Sequence, residues 1–264
     1  MKFSLRRDAI VAERPMMLEQ AVSVVREGSG PEVVLVHGGA GPTTTWAGLE
    51  SLRARWTLTS VYRRGFPPSP PPVDGSQDFE VDADDIAAVI SDTCPHVVAH
   101  SYGTLGTLIA AARRPDSVRS LTIIEPPLYF VAGDDPLVAR LRQLGDTVLS
   151  DGLDTDTARL REFLTLVGSP VADGQPLPAG AVAAVRRAHG GRLPGEARPR
   201  LEPIRAHGVP VLVASGGHAP ALERICDGLA GVVDAQRVVT PGAGHFVPAA
   251  PGFAERLERF LASV

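Results

Sequence analysis

The stretch Val97-Val98-Ala99-His100-Ser101-Tyr102-Gly103-Thr104-Leu105-Gly106 constrains this chain more than any other. Val97 to Ala99 is a short apolar run of the kind that forms a buried strand. Thr104 to Arg114 is built from small and helix-forming residues. Ser101 stands between them, with Ala99 two positions before it and Gly103 two after, which is G-x-S-x-G with alanine for the first glycine. A strand that turns abruptly into a helix lifts the turn residue out of the sheet on a strained backbone. The flanking residues have to be small, or their Cβ atoms would collide with strand and helix. The serine oxygen then stands at a helix N-terminus, where backbone N–H groups face a developing negative charge. Ser101 is therefore a candidate nucleophile. The plainer alternative is a capping serine at an ordinary strand–helix joint.

The rest of the chain repeats the same rhythm. Val22 to Arg26, Glu32 to Val36, Thr57 to Tyr62, Pro95 to Ala99 and Val118 to Ile124 read as strands. A helix is predicted after Thr45, its cap, with Trp46, Leu49, Leu52 and Trp56 at helical spacing, and another begins at Asp82. The proline run Pro67 to Pro72 fits a long loop, because the alternation continues on both sides of it. From about 128 to 206 no apolar strand is evident. Leu137, Leu141, Leu144, Leu160, Phe163, Leu164 and Leu166 fall at helical spacing instead. Alternation resumes with Val209 to Ala214, a helix from Pro220, Ala235 to Thr240, and a last helix from Gly252 to Leu261. Such alternation implies a mostly parallel sheet with helices on both faces, with sites beyond the carboxyl ends of the strands. His37-Gly38-Gly39, Ser101, Glu125 and His245 all follow such ends.

Bulk properties narrow the function classes. At 264 residues and 44% hydrophobic content, the chain suffices for one sizeable core, or one core with a small appended domain. The net charge is −4, arginine supplies nearly all the positive charge and no basic block occurs. Nucleic acid and anionic membrane are thus not expected as partners. Cys94 and Cys226 lie far apart, and two cysteines fit a reducing compartment better than a disulfide framework. The first residues, Met1 to Asp8, lack the apolar run of a signal peptide, and no stretch approaches a membrane span, so a cytoplasmic location is expected. No histidines pair at a metal-binding spacing, so no metal is expected.

In this order the features resemble the α/β-hydrolase superfamily, over nearly the whole chain from about residue 20. They are His37-Gly38 after a strand with Trp46 downstream, Arg63-Arg64-Gly65 after the next strand, and the turn at Ser101. A helical insertion follows, then Gly242-Ala243-Gly244-His245 before a helix ending Phe260-Leu261. The resemblance implies an α/β fold, the α/β-hydrolase fold, with a core over 1–127 and 207–264 and a helical cap over 128–206. It also implies a triad in the chain order serine, acid, histidine, with no cofactor. Ser101 would be the nucleophile and His245 the base; the backbone N–H groups of Gly39 and Tyr102 would form the oxyanion hole.

The acid departs from the common pattern. Many members carry it in the loop after the strand before the last. Here that loop reads Ser215-Gly216-Gly217-His218-Ala219-Pro220, without a carboxylate. Glu125, ending the strand after the Ser101 helix and 24 residues beyond Ser101, is the preferred acid, with Asp227 and Asp234 as alternatives. His100 and His37 read as structural, and His96, His189 and His207 as loop or surface residues. Trp46, Phe66, Leu128, Tyr129 and His218 are candidates for the substrate pocket.

The expected activity is hydrolysis of a carboxylic ester, lactone or thioester through an acyl-enzyme, with a small molecule as partner and a homodimer left open. Carbon–carbon bond hydrolysis, perhydrolysis, a lyase or cyclase activity and simple ligand binding are the alternatives the fold leaves open.

Overall fold

Four strands lie wholly or almost wholly out of water, and they order the molecule. In the computed structural model, which describes residues 20–264 except 92, 168–170 and 173, the strands are β1 (Val24–Gly28), β2 (Glu32–Val36), β3 (Thr57–Val61), β4 (His96–His100), β5 (Ser120–Ile124), β6 (Val211–Ser215) and β7 (Gln236–Val239). Met1 to Asp8 and the rest of the first 19 residues of the expected core lie outside the described residues. The sheet order is β1-β3-β2-β4-β5-β6-β7. β1 runs antiparallel to β3, and every other pair is parallel. β2, β4, β5 and β6 are mainly apolar because both of their faces are covered. β1 is an edge strand and largely exposed, with Arg26 and Glu27 in its second half.

The helices are α1 (Pro42–Thr45), α2 (Phe79–Ile90), α3 (Gly103–Arg113), α4 (Pro136–Asp151), α5 (Thr157–Leu166), α6 (Ala179–Ala188), α7 (Glu202–Ala206), α8 (Pro220–Val233) and α9 (Phe253–Leu261). Side chains alternate across the sheet, so it feeds two cores. Val34, Val36, Val97, Ala99 and Ile123 pack with residues of α2, α3 and α8. Val33, Leu35, Val98, Ile124 and Leu212 pack on the other face with Trp46, Phe253 and Leu257. Between β5 and β6 no strand occurs among the described residues. Leu144 and Val148 of α4, Leu160 and Leu164 of α5 and Val185 of α6 form a third, separate cluster.

Several expectations need correction. The helix predicted after Thr45 is two pieces, α1 and a 3-10 turn over Glu50–Ala54. Thr45 ends the first piece rather than capping a longer one, its hydroxyl donating to the Gly41 carbonyl at 2.7 Å. His96 is not a surface residue: it opens β4, buried, with Nδ1 2.7 Å from the Ser120 hydroxyl. Leu137, one of the apolar residues at helical spacing, is exposed on the first turn of α4. Both cysteines are free thiols, Cys94 exposed and Cys226 buried. Among the described residues no helix is long and apolar enough to cross a membrane.

Register fixes where the site can form. Val36 pairs with Ala99, Ala99 with Ile123, and Ile124 with Ala214. The carboxyl ends of β2, β4, β5 and β6 are therefore level, and the segments beginning at His37, Ser101, Glu125 and Gly216 leave the sheet along one edge.

Candidate active site

Ser101 occupies the turn that its sequence demands. Its φ is 53°, in the left-handed region that costs a side-chain-bearing residue energy. Its N–H donates to the Ile124 carbonyl at 2.9 Å, which ties the turn to the end of β5. The close packing around it explains the small residues. A Cβ at Gly103 would lie 2.4 Å from the His37 carbonyl oxygen, and one at Gly38 would lie 2.7 Å from Ser101 Cβ. Ala99 is fully buried and fits, so alanine in place of the motif's first glycine is accommodated.

Glu125, like Ser101, sits in a left-handed turn, with φ 50°. It is fully buried. Its Oε2 lies 3.2 Å from Nδ1 of His245, and its Oε1 accepts the Gly216 N–H at 2.7 Å. The loop that lacks a carboxylate thus supplies a backbone donor to a carboxylate from the neighbouring strand. Gly216 has to be glycine, because a Cβ there would lie 1.8 Å from the Gly244 carbonyl oxygen. The alternative acids lie elsewhere: Asp227 accepts from Arg237 Nε at 2.9 Å, and Asp234 is the exposed left-handed cap of α8.

Burial pushes both partners of the buried pair toward neutrality. The Glu125 carboxyl is raised to about 7 by loss of hydration, with the Gly216 N–H and the His218 imidazole pulling it partly back. His245 is lowered to about 3 by burial and by the nearby His218. A neutral imidazole is the form that can accept a proton. His100 holds it from behind, donating from Nε2 to the His245 carbonyl at 2.8 Å. His218 approaches from the other side. Its Nε2 donates to the Leu166 carbonyl at 2.9 Å, and its Nδ1, buried without a hydrogen-bond partner, lies 3.7 Å from Glu125 Oε1. Donor atoms of Glu125, His218 and His245 lie within 4.8 Å of one another, a set that could hold a metal ion only by displacing the Glu125–His245 hydrogen bond.

A cavity of about 400 Å³ opens above Ser101, lined by Gly39, Tyr102 and His245 on the sheet side. Leu149, Phe163, Leu164 and Val185, from the helices between β5 and β6, form an apolar opposite wall. Of the candidate pocket residues, Tyr129 lines this cavity. The other four do not. Leu128 is fully buried in the core, and Trp46 turns into the packing between the sheet and α9. Phe66 stands edge-on to His37 at 4.4 Å, behind the glycine turn, and His218 faces the acid. Their spacing in the sequence carries no record of which side of the backbone they occupy.

Sequence reasoning missed the residues that hold the glycine turn. Arg63, 2% exposed, donates from Nε and Nη2 to Asp82 Oδ2 at 2.9 and 2.7 Å. Its Nη1 reaches the Gly38 carbonyl at 3.4 Å, and its guanidinium lies 4.9 Å from the centre of the Tyr102 ring. Its backbone N–H donates to His37 Nε2 at 3.2 Å, while His37 Nδ1 donates to the Gly38 carbonyl at 2.7 Å. Burial lowers His37 to about 3, which keeps it in the neutral form this pattern needs. One arginine thereby touches both sides of the expected oxyanion hole. The Arg63-Arg64-Gly65 signal was available in the sequence, but nothing in it ties Arg63 to Asp82.

A mostly parallel sheet flanked by helices, with Ser101 and Glu125 in left-handed turns just beyond two adjacent strands, defines an α/β protein. The chain belongs to the alpha/beta hydrolase family, whose model matches residues 33–256. The pimeloyl-acyl-carrier-protein methyl ester esterase of Aeromonas hydrophila is 30% identical over 118 residues, 44% of this chain and 45% of that enzyme. The enzyme of the same name from Methylococcus capsulatus is 33% identical over 181 residues, 66% of this chain and 65% of that enzyme. The chain therefore matches less than two thirds of the length of either relative. An alpha/beta hydrolase of Sphaerobacter thermophilus has a similar solved structure, with a TM-score of 0.62 and 25% identity, covering 90% of this chain and 95% of that one.

Proposed function

We propose that this protein is a cofactor-independent serine hydrolase that cleaves a carboxylic ester, lactone or thioester through an acyl-enzyme on Ser101. The observation that carries the reading is the suspension of Glu125 between Gly216 N–H and His245 Nδ1, at the strand end beside the strained Ser101. The relatives' printed activity, methyl ester hydrolysis, supports the ester class. The helices between β5 and β6 act as the cap that walls the substrate cavity.

In this mechanism His245 takes the Ser101 proton as the hydroxyl attacks the carbonyl. Glu125 fixes the imidazole with Nδ1 protonated and stabilises the cation that forms. The N–H groups of Gly39 and Tyr102 receive the oxyanion, the second of them at the N-terminus of α3. His245 then gives its proton to the leaving group, and water releases the acyl group by the same steps. A fluorophosphonate probe should add one phosphonyl group to the peptide carrying Ser101, read by mass spectrometry. A protein that stays unlabelled, or is labelled elsewhere, would refute the reading.

The pH dependence follows from the acid. Ionised Glu125 is the active form, and its pKa is raised to about 7. Hydrolysis of an uncharged ester should therefore fall as pH drops through about 7, as the carboxyl is protonated and stops supporting the imidazolium. His245, lowered to about 3, is neutral throughout that range and does not set the limb. A profile of kcat/KM flat down to about pH 5 would contradict the assignment.

A further inference from the structure

Arg187, in the last turn of α6, is the one arginine, lysine, aspartate or glutamate lining the Ser101 cavity among the described residues. Its Nη2 reaches the Gly39 carbonyl at 3.5 Å, and its guanidinium lies 4.5 Å from the centre of the Phe66 ring. No carboxylate among the described residues pairs with it. Arg187 is an exposed residue, and the buried part of its surroundings lowers its pKa without removing its charge. The neighbouring wall is apolar: Phe163, Leu164 and Val185 from the helices and Tyr129 from below. An unpaired guanidinium beside an apolar chamber is a receptor for an anion attached to an apolar skeleton.

Position sets the substrate's shape. Gly39 is the residue whose N–H would bind the oxyanion, and Arg187 touches the carbonyl of that same residue. The anion must therefore sit only a few bonds from the reacting carbonyl. One guanidinium, with no second lysine or arginine lining the cavity among the described residues, balances one negative charge. That favours a carboxylate over a phosphate dianion.

We propose that Arg187 is a specificity residue that selects esters carrying a carboxylate a few carbons from the scissile carbonyl, such as half-esters of short dicarboxylic acids. The proposal rests on the hydrolase reading above. Bound in this way, the substrate carboxylate would take the guanidinium edge not facing Gly39, and the carbon chain would lie along the Phe163–Val185 wall.

The test compares the monomethyl and dimethyl esters of succinic, glutaric and adipic acids on the wild type, Arg187→Gln and Arg187→Lys. The wild type should favour at least one half-ester over its dimethyl ester by about tenfold or more in kcat/KM. That ratio should collapse toward one in Arg187→Gln and be partly kept in Arg187→Lys. The ratio is internal to each variant, so a general loss of activity leaves it readable. Equal rates on both series in the wild type, or a ratio that survives Arg187→Gln, would overturn the proposal. So would a stronger preference for a phosphonate-bearing ester.

A role limited to bracing Gly39 would slow both series alike and leave the ratio intact. Wild-type inactivity on every ester would instead count against the hydrolase reading. In that event glutarate itself decides the Arg187 question. It should raise the Tm of the wild type and not of Arg187→Gln, and equal effects on both would overturn the assignment.

Discussion

Glu125→Gln is expected to lower kcat/KM for ester hydrolysis by about 10³- to 10⁴-fold while leaving the fold intact. The reason is the direction of two hydrogen bonds. Oε1 accepts from the Gly216 N–H, and Oε2 faces Nδ1 of His245. A glutamine has one acceptor and one donor end. Gly216 can only donate, so the amide oxygen turns to it and the amide nitrogen turns to His245. That nitrogen donates to Nδ1 and forces the proton onto the other ring nitrogen, the one that has to accept the serine proton. The negative charge that would stabilise the imidazolium is also lost. Asp227→Asn should leave the rate within about twofold, because Asp227 is exposed and pairs with Arg237. Steady-state kinetics on a p-nitrophenyl ester, with circular dichroism to check the fold, separates the two. An Asp227→Asn loss larger than that of Glu125→Gln would move the acid away from the end of β5.

The largest expected loss of stability is at Asp82→Ala. Asp82 and Arg63 are 4% and 2% exposed, and two charge-assisted bonds join them. Removing the carboxylate strands a buried guanidinium. That costs about 3–5 kcal/mol, far more than the loss of a surface ion pair. At roughly 2–4 °C per kcal/mol for a chain of this size, Tm should fall by about 10 °C. The double replacement Asp82→Leu with Arg63→Met removes both charges and should recover most of the stability, because the site then buries apolar atoms instead. It should not recover activity, since Gly38 and Tyr102 lose the arginine that touches them both. Thermal melts and ester kinetics on the same three proteins test the pair of outcomes. A single mutant as stable as the wild type would show that Arg63 finds water or another partner.

The fold was legible because its signals are local. Each buried strand is a mainly apolar run, and each long helix carries its own period. The alternation of strands and helices then leaves few topologies. Ser101 was legible because a strained turn needs small neighbours that stand beside it in the chain. Glu125 was legible by a coarser argument: a carboxylate directly after Ile123-Ile124 is carried to the sheet edge. The pairs that complete the site were not legible, because each joins segments far apart in the chain. Arg63 meets Asp82 across 19 residues, and Gly216 meets Glu125 across 91. Pocket residues failed for a different reason. Trp46, Phe66 and Leu128 lie within a few residues of the site in sequence, but which side of the backbone a side chain occupies depends on packing. Helix α1 stops at Thr45, which sends Trp46 inward.

The proposed placement of the acid at Glu125 has an evolutionary consequence. β5 and β6 are adjacent, and the loop after β6 already touches Glu125 through its backbone. A lineage could therefore pass the negative charge between the two loops by way of an intermediate carrying both carboxylates, without moving the histidine or the serine. What holds that route in check is Gly216. Its lack of a side chain is what lets the loop lie against Gly244 and donate to a neighbour's carboxylate. The ancestry of such a site should be traced by the glycine as much as by the acid.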